Sequence, residues 1–334
     1  MNRLLLDALS GNNHSQKMPV WLMRQAGRYL VEYQDLRKRY SFMELIHSKD
    51  LIVEITKMPI DIFGFDAAII FSDILLICEY LGQKLHFEEG SGPHLEPALS
   101  SAHDVDKLIV QQSVQVPFLT DAIRELKKSL KVPLLGFAGA PFTVASYMIE
   151  GKSSSTLRKT KKWLLEDPVS FHKLLDLIAT KTIEYLNLQI DAGVDAVQLF
   201  DTWAEKFSWN HFHEFSAVYL KKVMDGIKKC PSILFCKGSS AFASALAKLQ
   251  PAAVSLDWQC DIAKMRKIVG PNVCLQGNLD PDILLTTPEI VRREVLSILD
   301  VMKQDPAFIF NLGHGILPET PRKNVEALVE CLRN

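Results

Sequence analysis

Apolar residues recur along this chain in two rhythms. Short runs, often β-branched, stay apolar on consecutive positions, as strands buried on both faces do. They fall at 20–23, 67–71, 133–136, 195–199, 232–235, 253–256, 272–275 and 307–311. Between them lie longer stretches whose apolar residues step by three and four, the period of an amphipathic helix. Over 167–193 the steps run through Phe171, Leu174, Leu175, Ile178, Ile183 and Leu186, with Asp167 and Pro168 as a start signal and Gly193 as a stop. The same rhythm predicts helices over 213–228 and 289–302, and a closing helix over 322–332 introduced by Thr320 and Pro321.

Eight strands separated by helical crossovers predict an α/β fold: one domain over 1–334, closed as a (β/α)8 TIM-type barrel that leaves no sheet edge exposed. The early insertion at about 74–132 is expected to hold extra helices and loop. An open doubly wound sheet is the alternative. It is disfavoured because no Gly-x-Gly-x-x-Gly turn follows any of the runs.

Composition narrows the class of partner. The 334 residues are 48% hydrophobic and 23% charged, and 38 basic residues nearly cancel 39 acidic ones. That balance gives no broad electrostatic footprint for nucleic acid or an anionic membrane, though it permits a local basic pocket. No apolar run nears the roughly 20 residues that span a bilayer, and polar residues interrupt the start before a signal-peptide core develops. A cytoplasmic location is expected. The six cysteines include no Cys-x-x-Cys pair and read as scattered core residues.

In such a barrel, loops at the carboxyl ends of the strands handle ligands. That rule selects Arg24 and Arg28, Asp73, residues 139–147, Asp201 and Thr202, Lys237, Asp257, Gln276 and His314. Arg24 and Arg28 would share a face if their segment were helical, and could clamp carboxylates; a solvated helix start is the plainer reading. Asp73 follows an apolar run and suits charge stabilisation at a barrel rim, or equally a helix cap. Tyr147 offers a phenolic donor or simply a buried ring. His314, set between glycines, is a candidate for proton transfer or ligand binding, against a satisfied turn residue. Lys237 reads best as half of a rim ion pair.

The segments MRQAGRYLVEY (23–33) and GFAGAPFTVASYMIEG (136–151) strongly resemble uroporphyrinogen decarboxylases, and FSDIL, QLFDTWA, CLQGNLDP and FNLGHGILPETP match in the same order. The resemblance covers nearly the whole chain. It implies decarboxylation of the four acetate groups of uroporphyrinogen III to give coproporphyrinogen III, in haem biosynthesis. It implies also a homodimer that handles partly decarboxylated intermediates and uses no metal or organic cofactor. Asp73 and Arg24 would be catalytic. Arg24, Gln25, Ala26, Arg28, Asp73, Tyr147, Phe200, Thr202 and His314 would contact substrate. The chain departs from the family pattern at Val31, where proline is common, and at Thr202 and Glu205, where bacterial relatives commonly carry serine and glycine. A related corrinoid-dependent methyltransferase is the enzyme alternative, but Leu234, Phe235 and Cys236 lack the His-x-Cys pair of its zinc site. A catalytically silent tetrapyrrole-binding protein is the alternative of another class.

Overall fold

The structure is a computed structural model that describes residues 2–15, 17–88, 90–108 and 110–333. Its strands are β1 (Ala68–Ile69), β2 (Lys84–Glu88), β3 (Gly92–Glu96), β4 (Leu134–Gly139), β5 (Ala196–Asp201), β6 (Ser232–Cys236), β7 (Ala253–Ser255), β8 (Cys274–Leu279) and β9 (Phe308–Leu312). Seven of them form one parallel sheet in the order β1-β4-β5-β6-β7-β8-β9, and β2 pairs with β3 as a separate antiparallel hairpin. Helices carry the chain between successive sheet strands, as parallel pairing requires.

The expected closed barrel of eight strands is not formed; the sheet is a curled half-barrel of seven parallel strands with flanking helices. The first expected strand, 20–23, contributes a single bridge from Val20 to Phe310. The cause is local competition for its backbone donors. Asp66 accepts the Val20 N–H (3.0 Å), Gln25 Oε1 that of Leu22 (3.1 Å) and Asn311 Oδ1 that of Met23 (3.0 Å). Donors satisfied by side chains are lost to a strand ladder.

The insertion also differs from expectation. Beside the helices Ile77–Tyr80, Ala102–Asp106 and Pro117–Ser129, it holds the β2–β3 hairpin. Residues 89 and 109 of this insertion lie outside the described residues. The helix expected over 213–228 is built from Trp209–Phe212, a π turn at His213–Ala217 and Val218–Gly226. By contrast Pro168–Ala192 runs as expected: Asp167 caps its start by accepting from Ser170 N (3.2 Å), and Gly193 ends it at φ 115°.

Two apolar layers follow from this arrangement. One packs between the sheet and its helices. The other fills the concave side of the sheet with Trp21, Met23, Leu135, Ile233, Phe235 and Ile309, and the helix Leu4–Leu9 seals it with Leu5, Ala8 and Leu9. Within that concave core, Trp21 Nε1 donates to Gln276 Oε1 (2.9 Å), and Gln276 Nε2 donates to Gln198 Oε1 (3.0 Å) and Ser255 Oγ (2.9 Å). All four side chains are buried, so the pairing removes a desolvation cost of about 1–3 kcal/mol per polar group. No helix among the described residues is long and apolar enough to cross a membrane.

Candidate active site

The carboxyl ends of the parallel strands bring one group of polar side chains together. After β1 the chain turns through Ser72 and Asp73, whose Oδ1 accepts the Leu75 N–H at 2.8 Å. This bond lies inside the loop, since the next helix begins at Ile77. Gly139, at the end of β4, allows the loop to approach closely: a Cβ there would meet Val144 Cγ2 at 2.7 Å and Ile74 at 3.2 Å. The glycine thus lets the end of β4 pack against the loop at Ile74 and the helix Pro141–Glu150.

Arg24 reaches the same region from the other edge. Residues 23–30 form turns and bends, and the following helix starts only at Val31, so Arg24 and Arg28 do not share a helical face. Arg24 sits at φ 60°, a left-handed conformation that costs a non-glycine residue of order 1 kcal/mol and concentrates at functional sites. Its side chain crosses Gly315, where a Cβ would lie 2.4 Å from Arg24 Cδ and 2.7 Å from Cγ. Gly315 is therefore required by the path of Arg24.

Electrostatics tie these residues into one cluster. Burial raises the Asp73 carboxyl from 3.8 to about 6, against the opposing pull of the Leu75 N–H and the Arg24 charge. By surface Asp73 is only half-buried. The Tyr147 phenol is pushed up first by burial and then by the Asp73 charge. Burial drives the His314 imidazole down to about 4, helped by Arg24 and Lys237 and opposed by Glu205. Arg24 thus acts on Asp73, Tyr147 and His314, and Asp73 acts on Tyr147.

Aromatic rings form the surrounding wall. Phe200 packs edge-on to Phe137 (5.7 Å between ring centres) and lies 5.8 Å from Phe235, which in turn meets the His314 ring at 5.8 Å. Tyr147 lies 5.9 Å from Trp203. Phe137, Phe235 and Trp203 were not selected from the sequence; only the strand register, which puts Phe200 beside Gly139 and Phe235, brings them together.

Other selected residues stand differently. Thr202, half-buried, opens a short 3-10 turn after β5. Ala26 is half-buried beside Arg24. The Gln25 side chain is fully buried and turned inward, its Oε1 holding Leu22 N and its Nε2 donating to Ala67 O (3.1 Å). Arg28 is exposed; burial raises the phenol of Tyr33, and Arg37 and then Arg28 pull against that rise. Asp201 is sealed below the cleft, accepting from Thr143 Oγ1 (2.7 Å) and Ser216 Oγ (2.5 Å). Asp257 is likewise tied to Gly238 N and Ser239 Oγ. Lys237 makes the expected rim ion pair, 3.2 Å from Glu205, which also pairs with Lys206 at 3.0 Å. Burial holds the Cys236 thiol well above its ordinary range, so it stays protonated. A groove of about 660 Å³ lined by Lys84, His94, Glu96, Glu150 and Lys152 shares no residue with the strand-end cluster.

A half-buried carboxylate with an arginine and aromatic rings nearby suits a ligand that carries carboxylates and develops positive charge. Comparison with known proteins gives the family. The family model described as uroporphyrinogen decarboxylase (URO-D) matches residues 1–334. A uroporphyrinogen decarboxylase of Protochlamydia amoebophila is 49% identical over 99% of this chain and 92% of that protein. One of Hydrogenovibrio crunogenus is 42% identical over 94% and 92%. A solved structure of a methyltransferase from Methanosarcina mazei shares the fold at a TM-score of 0.84 and 21% identity, covering 99% of this chain and 98% of that one. With the family model matching end to end, this chain belongs to the uroporphyrinogen decarboxylase family.

Proposed function

We propose that the strand-end cleft carries out decarboxylation with Asp73 as its electrostatic centre. The chain is a carboxy-lyase of porphyrin biosynthesis that converts the acetate side chains of uroporphyrinogen III to methyl groups, giving coproporphyrinogen III and carbon dioxide. Direct loss of carbon dioxide from an acetate would leave an unstabilised carbanion. Protonation of the adjacent pyrrole carbon first creates an iminium-like cation. The electron pair of the breaking C–C bond then neutralises that cation and leaves an exocyclic methylene; protonation of its carbon makes the methyl group, and loss of the proton first added to the ring restores the pyrrole. The substrate itself provides the electron sink.

Asp73 accepts the pyrrole N–H groups and offsets the ring's positive charge. With its carboxyl at about 6, it is ionised by about ten to one at pH 7. Arg24 and Arg28 bind substrate carboxylates, and Arg24 orients the acetate that reacts. The raised Tyr147 phenol stays protonated and donates to a carboxylate. His314, with its imidazole at about 4, is neutral near pH 7 and acts through hydrogen bonding. Thr202 supplies a hydroxyl at the rim; Ala26, the Gln25 main chain and Phe200 line the cleft. The whole chain serves as one catalytic domain, working as a homodimer in the cytoplasm and taking partly decarboxylated intermediates as further substrates.

The Asp73 carboxylate, raised by burial and coupled to the Arg24 charge and the Tyr147 phenol, carries this reading. Anaerobic incubation with uroporphyrinogen III, with products separated by carboxyl count, tests it. Stepwise hepta- to tetracarboxylate formation is expected; binding without loss of carboxyl groups would overturn it.

A further inference from the structure

Away from the cleft, the β2–β3 hairpin carries a second cluster of groups with ligand chemistry. Successive side chains of the hairpin point to opposite faces. Leu85 and Leu95 are buried and paired across the strands, while Lys84, His86 and Glu88 share the outer face with His94 and Glu96. His86 lies directly opposite His94, their rings 5.3 Å apart and nearly parallel at 17°. Glu88 lies opposite Gly92, which presents no side chain, so the carboxylate has room to lean diagonally to His94. Its Oε2 is 3.2 Å from His94 Nε2 and its Oε1 is 3.7 Å from His86 Nε2. Ser91 Oγ adds a contact to His94 Nε2 at 2.7 Å.

One ligand atom from each of His86, Glu88 and His94 lies within 4.8 Å of the others. Around a tetrahedral zinc ion with bonds of about 2.0–2.1 Å, ligand atoms sit about 3.4 Å apart. Small rotations of three side chains, two of them well exposed, close that difference. Two imidazoles and one carboxylate suit a borderline divalent ion, with one position left for water.

We propose that His86, Glu88 and His94 form a clasp for a divalent transition-metal ion of the zinc type. The ion joins the two strands of the hairpin from its outer face. An isolated two-stranded hairpin is marginal in water, and this one is anchored on its inner face and through Leu95 N to Gly151 O (2.8 Å). Gly151 ends the helix Pro141–Glu150 that carries Tyr147, so the clasp braces the strand against which that helix stops. The site is structural and separate from the cleft, so it stands independently of the decarboxylation reading.

Full-length protein stripped of metal is titrated with Zn2+ against a competing chromophoric chelator, beside the double variant His86→Ala/His94→Ala. The wild type should take up one equivalent more than the double variant. A hundredfold excess of Zn2+ over its Kd should raise the wild-type Tm by about 4 °C and leave the variant unmoved. Equal uptake by both proteins overturns the proposal, as does no uptake by the wild type, which would make the trio an ion-pair cluster only. Should the double variant not fold, Glu88→Gln, which changes one exposed atom, must weaken binding at least about tenfold. Co2+ bound to the wild type must lack a thiolate charge-transfer band. Such a band would place the ion on cysteine and overturn the proposal.

Discussion

Asp73→Asn removes a charge while keeping the side-chain shape and the Oδ1 that accepts from Leu75 N at 2.8 Å. Burial lifts this carboxyl from 3.8 to about 6, with Leu75 N–H and Arg24 opposing. A rise of about two pH units corresponds to about 3 kcal/mol of penalty on the ionised form. Water in the open cleft screens part of it, leaving about 1–2 kcal/mol. Because the folded carboxyl binds its proton more tightly than the unfolded one, the penalty is absent below about pH 4. It grows as pH rises and is complete above about pH 6. At pH 7.5 the asparagine variant should therefore be the more stable protein, by about 1.5–3 °C in Tm for a chain of this size. Its turnover should fall about 10²- to 10³-fold, the effect of losing one preorganised charge contact. Anaerobic product separation and calorimetry on the same preparation measure both quantities, and the Tm difference should vanish near pH 4. Near-wild-type turnover in a folded variant would refute the reasoning, and so would lost activity accompanied by a lower Tm at pH 7.5.

The acid limb of kcat/KM should follow Asp73, activity falling as pH drops through about 6, and His314→Asn should preserve that limb because an imidazole at about 4 is already neutral there; loss of the limb in the variant would reassign it to His314. Glu205→Gly frees Lys237 and Lys206 from their shared partner. These pairs are only partly exposed; at about 1 kcal/mol, KM for the octacarboxylate should fall about fivefold, with a steeper dependence on salt in steady-state assays. Gly315→Ala places a methyl group 2.4 Å from Arg24 Cδ, the flexible part of a side chain that can swing aside. It should cut kcat/KM by about tenfold or more and leave Tm within about 1 °C, as kinetics and calorimetry on one sample would record.

The strands that hold the site were legible because β4, β5, β6 and β8 are buried at nearly every position, which produces apolar runs interrupted only by a few buried polar residues such as Gln198 and Gln276. The run at 20–23 has the same appearance and fails as a strand, because Asp66, Gln25 and Asn311, two of them distant in sequence, capture its donors. Apolar periodicity carries no information about such rivals. The hairpin was missed for a different reason: Lys84–Glu88 does alternate, yet it is short and lies in a stretch assigned to helix and loop. Of the candidate site, Arg24, Asp73 and His314 were reached by the strand-end rule. The rule also selected Asp201, Asp257 and Gln276, whose bonds to nearby hydroxyls, amides and side chains bury them below the cleft. Position at a strand end selects a residue's height in the fold, and only packing decides which way it faces. Gln25 illustrates the point, since its neighbour Arg24 turns outward at φ 60° while Gln25 turns in.

The packed concave side of the sheet has a consequence for traffic. Leu5, Ala8 and Leu9 stopper the amino end, and the Trp21–Gln276–Gln198 chain fills the space above them. The amino-end side of the sheet interior is thus filled among the described residues, so a substrate held by Asp73 as proposed would enter and leave on the carboxyl-end side. A macrocycle with several acetates to surrender would then back out or pivot on that side between rounds. Glu205, Lys206 and Lys237 pair with one another just beyond the carboxyl ends of β5 and β6. Exchange of these side chains should therefore alter how many partly processed macrocycles escape, even where the chemical step itself is untouched.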